Sequence, residues 1–135
     1  ELLDRLLASA SIEQYLDEGL VSARTLTDYL FDRMEAHDLR RADVVRASGL
    51  NATVVYDIFS GKSRPGRDHA IMLAFGLKCT LRETQRLLRL AGVSELWCKQ
   101  RRDAIIIWCI RNGFDRIATD DELYRMGEAT LLPAD

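Results

Sequence analysis

Residues able to do covalent chemistry are few in this sequence, and none stands in a pattern such chemistry needs. The only histidines are His37, among Glu35 and Asp38, and His69, beside Asp68. A metal site needs three or four convergent ligands. This spacing supplies none, so both read as solvated surface histidines. Cys79, Cys98 and Cys109 form an odd set without a C-x-x-C pair, neither a disulfide framework nor a zinc pattern. They read as small hydrophobes in a reducing cytoplasm. No Gly-x-Ser-x-Gly elbow, no Ser/His pairing and no Walker or dinucleotide-binding glycine pattern occurs. The expectation is a protein that is not an enzyme, with no catalytic residue, no cofactor and no metal.

What remains is the chemistry of charge. Residues 40–67 carry Arg40, Arg41, Arg46, Lys62, Arg64 and Arg67 against only Asp43 and Asp57. The whole chain hides this. Its 135 residues hold 19 Lys and Arg against 21 Asp and Glu, a net charge of −2, which taken evenly argues against a polyanion binder. The charge is not even. Residues 1–39 have 3 bases and 9 acids (−6), residues 40–102 have 13 and 5 (+8), and residues 103–135 have 3 and 7 (−4). A basic block lies between two acidic ends. Such ends limit non-specific binding or pair with a partner.

The elements that must position these charges are helical. At 47% hydrophobic and 30% charged, the chain can bury a core as one domain with additions. Capping boxes are read at Ser11/Gln14, Thr80/Glu83 and Thr119/Glu122, with a weaker variant at Thr25/Asp28. Stops are read at Gly19, Gly49, Gly61, Gly76, Gly92, Gly113 and Gly127. Helices are expected at about 2–8, 12–18, 25–37, 41–48, 52–59, 67–75, 81–91, 100–112 and 119–126. The run Ile105 to Ile110 would suit a buried strand, but no second strand exists to pair with it. It reads as a helix apolar on nearly all sides, hence central or at an interface. The longest apolar run, Ala104–Ile110, is far short of a membrane span, and no signal peptide is visible, so a cytoplasmic protein is expected.

Residues 41–61 are the informative stretch. They read as a short helix, a turn at Gly49 and a second short helix. Val44 and Val45 face inward, Leu50 plugs the turn, and Asn51 caps the second helix. Val55, Ile58 and Phe59 seat that helix on the core, and Gly61 ends it. A rigid pair of this kind leaves the outer face of its second helix free to enter a DNA major groove. The alternative is an ordinary helical hairpin, against which stands the basic flank.

This stretch resembles the Xre family, the Cro and phage-repressor type of helix-turn-helix. The resemblance covers about residues 25–91, half the chain. It extends to the loop Gly61-Lys-Ser-Arg-Pro-Gly-Arg67 and to Lys78-Cys-Thr-Leu-Arg-Glu-Thr before the fifth helix. It implies an all-α fold: a lambda-repressor-like five-helix domain at 25–92, an N-terminal helical extension at 1–24 and a C-terminal helical extension at 93–135. It further implies a sequence-specific regulator whose partner is double-stranded DNA, with no membrane. Asn51, Ala52, Thr53, Tyr56 and Asp57 would face the bases. Arg41, Lys62, Ser63, Arg64 and Arg67 would contact phosphates. Val45 stands where the family most often has Ala. Asp57 puts a carboxylate on the groove face, where it is repelled by phosphates yet can accept from a cytosine amino group.

Three other features have two readings each. Arg82, Arg86 and Arg89 make a basic stripe, either a solvated face or a contact for an acidic surface such as Asp120, Asp121 and Glu122. Trp97, Trp108, Phe114 and Tyr124 either cap the core or form a homodimer interface. Leu2, Leu3, Leu6 and Leu7 with Ile12, Tyr15 and Leu16 either pack on the domain or offer a face to another protein. The alternative function is a protein-interaction adaptor or regulatory subunit that retains the fold.

Overall fold

The computed structural model describes residues 2–8, 10–12 and 25–133. These residues form helices and no strand. The helices are α1 (Leu2–Ala8), α2 (Leu26–Ala36), α3 (Arg41–Ser48), α4 (Ala52–Phe59), α5 (Arg67–Gly76), α6 (Leu81–Leu90), α7 (Arg101–Arg111) and α8 (Arg116–Arg125). None is long and apolar enough to cross a membrane. The helix expected at 12–18 and the marks at Gln14 and Gly19 lie outside the described residues, as do Tyr15 and Leu16. On α1 and just beyond it, Leu3, Leu7 and Ile12 are exposed.

Local chemistry explains most helix ends. Thr25 caps α2 by accepting from the Asp28 N–H at 3.2 Å. Thr80 caps α6, and the box closes as the Glu83 carboxylate accepts from the Thr80 N–H at 3.0 Å. The start of α8 differs from the expectation. Asp115 caps it by accepting from the Ala118 N–H at 2.8 Å, four residues ahead of the box read at Thr119 and Glu122. Thr119 is buried and its hydroxyl donates to the Asp115 carbonyl. An Asp is as good a cap as Thr, and the earlier start brings Arg116 into the first turn.

The core is built around α5. Ala70, Ile71, Met72, Leu73 and Ala74 are all buried in succession because α3, α6 and α8 surround the helix. Gly76 serves closeness, not a turn. A Cβ there would lie 2.9 Å from the Ser48 Cβ and 3.0 Å from the Val44 carbonyl. Glycine thus lets α5 approach α3, and the left-handed residue that ends this helix is Lys78, with φ 56°. Of the two places expected of the Ile105–Ile110 run, central or at an interface, the central one is taken by α5. Helix α7 buries Ile106 and Cys109 but leaves Trp108 exposed. Ile106, Leu123 and Leu131 join the same core as Leu30, Val55 and Leu87, so residues 93–131 extend one apolar interior.

Two ion pairs, one half-buried and one buried, fasten that extension. The Arg102 guanidinium forks onto Asp68 at 2.9 and 3.1 Å and donates to the Ala129 and Thr130 carbonyls. Asp120 accepts from Arg116 at 2.7 Å and from the Leu131 and Leu132 N–H groups. A buried charge is tolerable when paired and hydrogen-bonded in this way.

Candidate nucleic-acid interface

The helix pair α3–α4 is held by its apolar side. Val44, Leu50, Val55, Ile58 and Phe59 are buried, and Val45 is half-buried. Between the helices, Gly49 takes φ 83° and its N–H donates to the Val45 carbonyl. Few residues other than glycine adopt that conformation without strain. The buried Ser48 hydroxyl donates to the Val45 carbonyl and accepts from the Leu50 N–H, each at 3.2 Å. The turn therefore has no orphan donor at its centre. At the other end of α3, the Asp43 carboxylate accepts from the Arg40 N–H at 2.9 Å and from Arg46 at 2.6 Å. The Arg40 N–H bond, aided by the charge of Arg46, holds the Asp43 carboxyl below its ordinary pKa.

The opposite face of α4 is open. Asn51, Ala52, Thr53 and Tyr56 are exposed, and Asp57 is half-buried. Among the described residues, no other helix covers the exposed four. Asn51 uses its side-chain carbonyl to cap α4, accepting from the Val54 N–H at 2.9 Å. Only its amide N–H groups remain for an outside acceptor. The Arg41 guanidinium lies over the Tyr56 ring, 5.1 Å from its centroid. This joins the first residue of α3 to the outer face of α4. Such a contact at an exposed site contributes about 0.5–1 kcal/mol and, more to the point, orients both side chains.

The loop after α4 curls back on Asp57. The Asp57 main-chain carbonyl accepts from the Lys62 N–H at 2.9 Å, the Ser63 N–H at 3.2 Å and the Ser60 hydroxyl at 3.1 Å. Lys62 and Ser63 are thereby held beside the end of α4 with exposed side chains. Arg64 is exposed and makes one long bond, 3.3 Å, to the Leu90 carbonyl at the end of α6. That bond is weak enough for a better acceptor to replace it.

Arg67, read from the sequence as a phosphate contact, is engaged inside the protein. Its guanidinium donates to Asp103 at 3.1 and 2.7 Å, to the Ser94 carbonyl at 3.0 Å and to the Glu95 carbonyl at 3.0 Å. Asp103 is nearly buried and also accepts from the Trp97 N–H. Four of the five Arg67 N–H groups are used inside the protein, which leaves at most one for a phosphate. Arg67 is a structural tie between α5 and α7. Sequence reasoning missed this because Asp103 lies 36 residues away in the chain.

Pairing also thins the basic block. Arg89 meets Glu95, Arg101 meets Glu128 and Arg102 meets Asp68. Asp120 and Glu122, considered as partners for the Arg82, Arg86 and Arg89 stripe, pair instead with Arg116 and Arg125 on their own helix. Arg86 flanks the Tyr29 ring at 5.8 Å. Among the described residues, Arg41, Lys62 and Arg64 form no ion pair; Arg41 lies over Tyr56 on the open face of α4, and Lys62 follows the end of that helix. Comparison of the chain with family models, with curated proteins and with solved structures gives no match to any of them, so the meaning of this face rests on its own geometry.

Proposed function

We propose that this chain is a sequence-specific DNA-binding regulator of the Xre type, working in the cytoplasm. Helices α2 to α6 would form its lambda-repressor-like domain, and α4 would enter the major groove. The observation that carries this reading is the open outer face of α4. Ala52, Thr53 and Tyr56 stand clear of the protein, with Arg41 over Tyr56 at one side and Lys62 and Ser63 at the helix end. Cations that border a helix without being neutralised suit phosphates flanking a groove. Arg41, Lys62, Ser63 and Arg64 would hold the backbone and give salt-dependent affinity. Thr53, Tyr56 and Asp57 would set base preference, with Ala52 against a thymine methyl and the Asn51 amide as a donor.

Selection of sites from a random DNA pool at two salt concentrations tests the reading. An enriched half-site whose binding weakens with salt is expected. Absence of enrichment would favour the second reading, a protein-interaction adaptor or regulatory subunit. The observation behind that reading is the exposure of Trp97, Trp108 and Tyr124. Aromatic residues are enriched at protein interfaces. The two readings meet if α7 and α8 pair two copies, which would set two α4 helices about one DNA turn apart on a near-palindrome.

A further inference from the structure

A cleft of about 400 Å³ opens between the C-terminal ends of α3 and α5 and the connection from α7 to α8. Its wall is of two chemical kinds. Phe75, Ile110 and Phe114 give it an apolar side, and the Trp108 ring holds Phe114 edge-on at 5.4 Å. Arg46, Lys78 and Arg116 give it a cationic side. The lining has one acid, Asp115, and its carboxylate is engaged as the cap of α8.

The cations differ in how far they are satisfied. Arg46 is held by Asp43 at 2.6 Å. Lys78 is exposed and has no ion pair among the described residues. It also sits at φ 56°, a conformation that favours glycine or asparagine over lysine. Arg116 is 9% exposed and bonds Asp120 through Nη1 alone. Its Nε is buried without any acceptor. A buried donor left without an acceptor is uncommon in folded proteins. Here it faces the Gly49 turn, so the cleft, which is of the size that takes small molecules, meets this residue as buried charge and not as a free donor.

We propose that this cleft binds a small carboxylate with an apolar body. Lys78 holds the carboxylate, Arg116 adds positive charge behind it, and Phe75, Ile110 and Phe114 cover the body. Charge without an apolar body, or the body without charge, satisfies only half of the wall. The site is distinct from the open face of α4, and its occupation is measured without DNA, so its fate does not depend on the DNA reading.

Calorimetric titration of the full chain tests this with three probes: phenylacetate, its neutral analogue phenylacetamide, and acetate. Phenylacetate is expected to bind saturably, with the other two at least about tenfold weaker. Lys78→Ala should weaken phenylacetate by about tenfold, whereas Lys99→Ala, outside the cleft, should leave it unchanged. Amide resonances of Lys78, Gly113, Phe114 and Arg116 should move during the titration. The proposal is overturned by a lack of saturation up to about 10 mM phenylacetate, by equal binding of the amide, by an unaffected Lys78→Ala variant, or by resonance shifts confined elsewhere.

Discussion

The turn between α3 and α4 is set against a residue from the far end of the chain: a Cβ on Gly49 would lie 2.7 Å from Nε of Arg116. Gly49 is thus fixed twice, by its φ of 83° and by this close approach. Gly61 is a natural control, since its φ is 80° but its Cβ would meet only the Thr27 methyl at an ordinary 3.8 Å. Gly61→Ala should cost about 1–2 kcal/mol for its backbone alone. Gly49→Ala should cost about 1–3 kcal/mol more, for the displacement of a packed side chain. Urea denaturation of the two variants measures the gap. In a double-mutant cycle, Arg116→Ala should cost less in the Gly49→Ala background than in the native chain, because part of its packing is already lost. Additive losses would mean that the two residues do not couple.

Arg67 and Lys62 should separate stability from DNA binding. Breaking a buried pair leaves an uncompensated charge, so Arg67→Ala, which strands the nearly buried Asp103, should cost about 3–5 kcal/mol. Lys62→Ala, at an exposed residue, should change stability by less than about 0.5 kcal/mol. On a selected DNA site the order reverses. Lys62→Ala should weaken binding to all sequences and lower the salt slope by about 1. At a temperature where Arg67→Ala remains folded, its salt slope should equal that of the native chain. A lowered slope for Arg67→Ala would return that residue to the phosphate set.

Base preference should follow the outer face of α4. Asp57→Asn replaces an acceptor-only group by one that also donates. It should raise affinity for all DNA by removing repulsion and relax any preference for cytosine at the facing position. Thr53→Ala should change preference at one base pair by about 1–3 kcal/mol and leave the salt slope alone. Tyr56→Leu should weaken binding more broadly, since it frees Arg41 from the ring beneath it. Binding measured over single-base variants of the selected site distinguishes these outcomes. Identical profiles for all three variants would remove this face from the recognition surface.

The sequence was legible where local chemistry decides. The Thr80/Glu83 box, the Gly49 turn, the Asn51 cap and the inward set Val55, Ile58 and Phe59 follow from residues within a few positions of each other, and the structure has each of them. It misled where two nearby residues compete. Asp115 takes the cap that Thr119 was expected to supply, because both suit the role and only packing of α8 chooses. It was silent where the partner is distant. Nothing near Arg67 signals Asp103, nothing near Gly49 signals Arg116, and Gly76 looks like any other helix stop until Ser48 is set against it. The basic flank was visible as charge, but charge alone does not say which arginines are already paired.

Alkaline pH should destabilise the fold through Cys79. Burial pushes its thiol from the ordinary 9.0 up to about 12, with the nearby Glu83 carboxylate adding to the shift and Arg33 opposing it. Below pH 9 the thiol is protonated in both folded and unfolded chains, so its contribution is constant there. As pH rises through the interval from 9.0 to about 12, the unfolded chain releases this proton while the folded chain keeps it. The unfolded state then binds fewer protons, and stability falls as pH rises. Tyr29 acts in the same direction, since burial also raises its phenol. Denaturation curves at several alkaline pH values should therefore show a progressive loss, which Cys79→Ala reduces without abolishing. The same chemistry orders thiol reactivity near neutral pH. The exposed Cys98 should react with a thiol reagent first, the half-buried Cys79 more slowly, and the buried Cys109 only as the chain opens. A Cys79→Ala variant with an unchanged alkaline slope would show that its thiol is not held protonated in the fold.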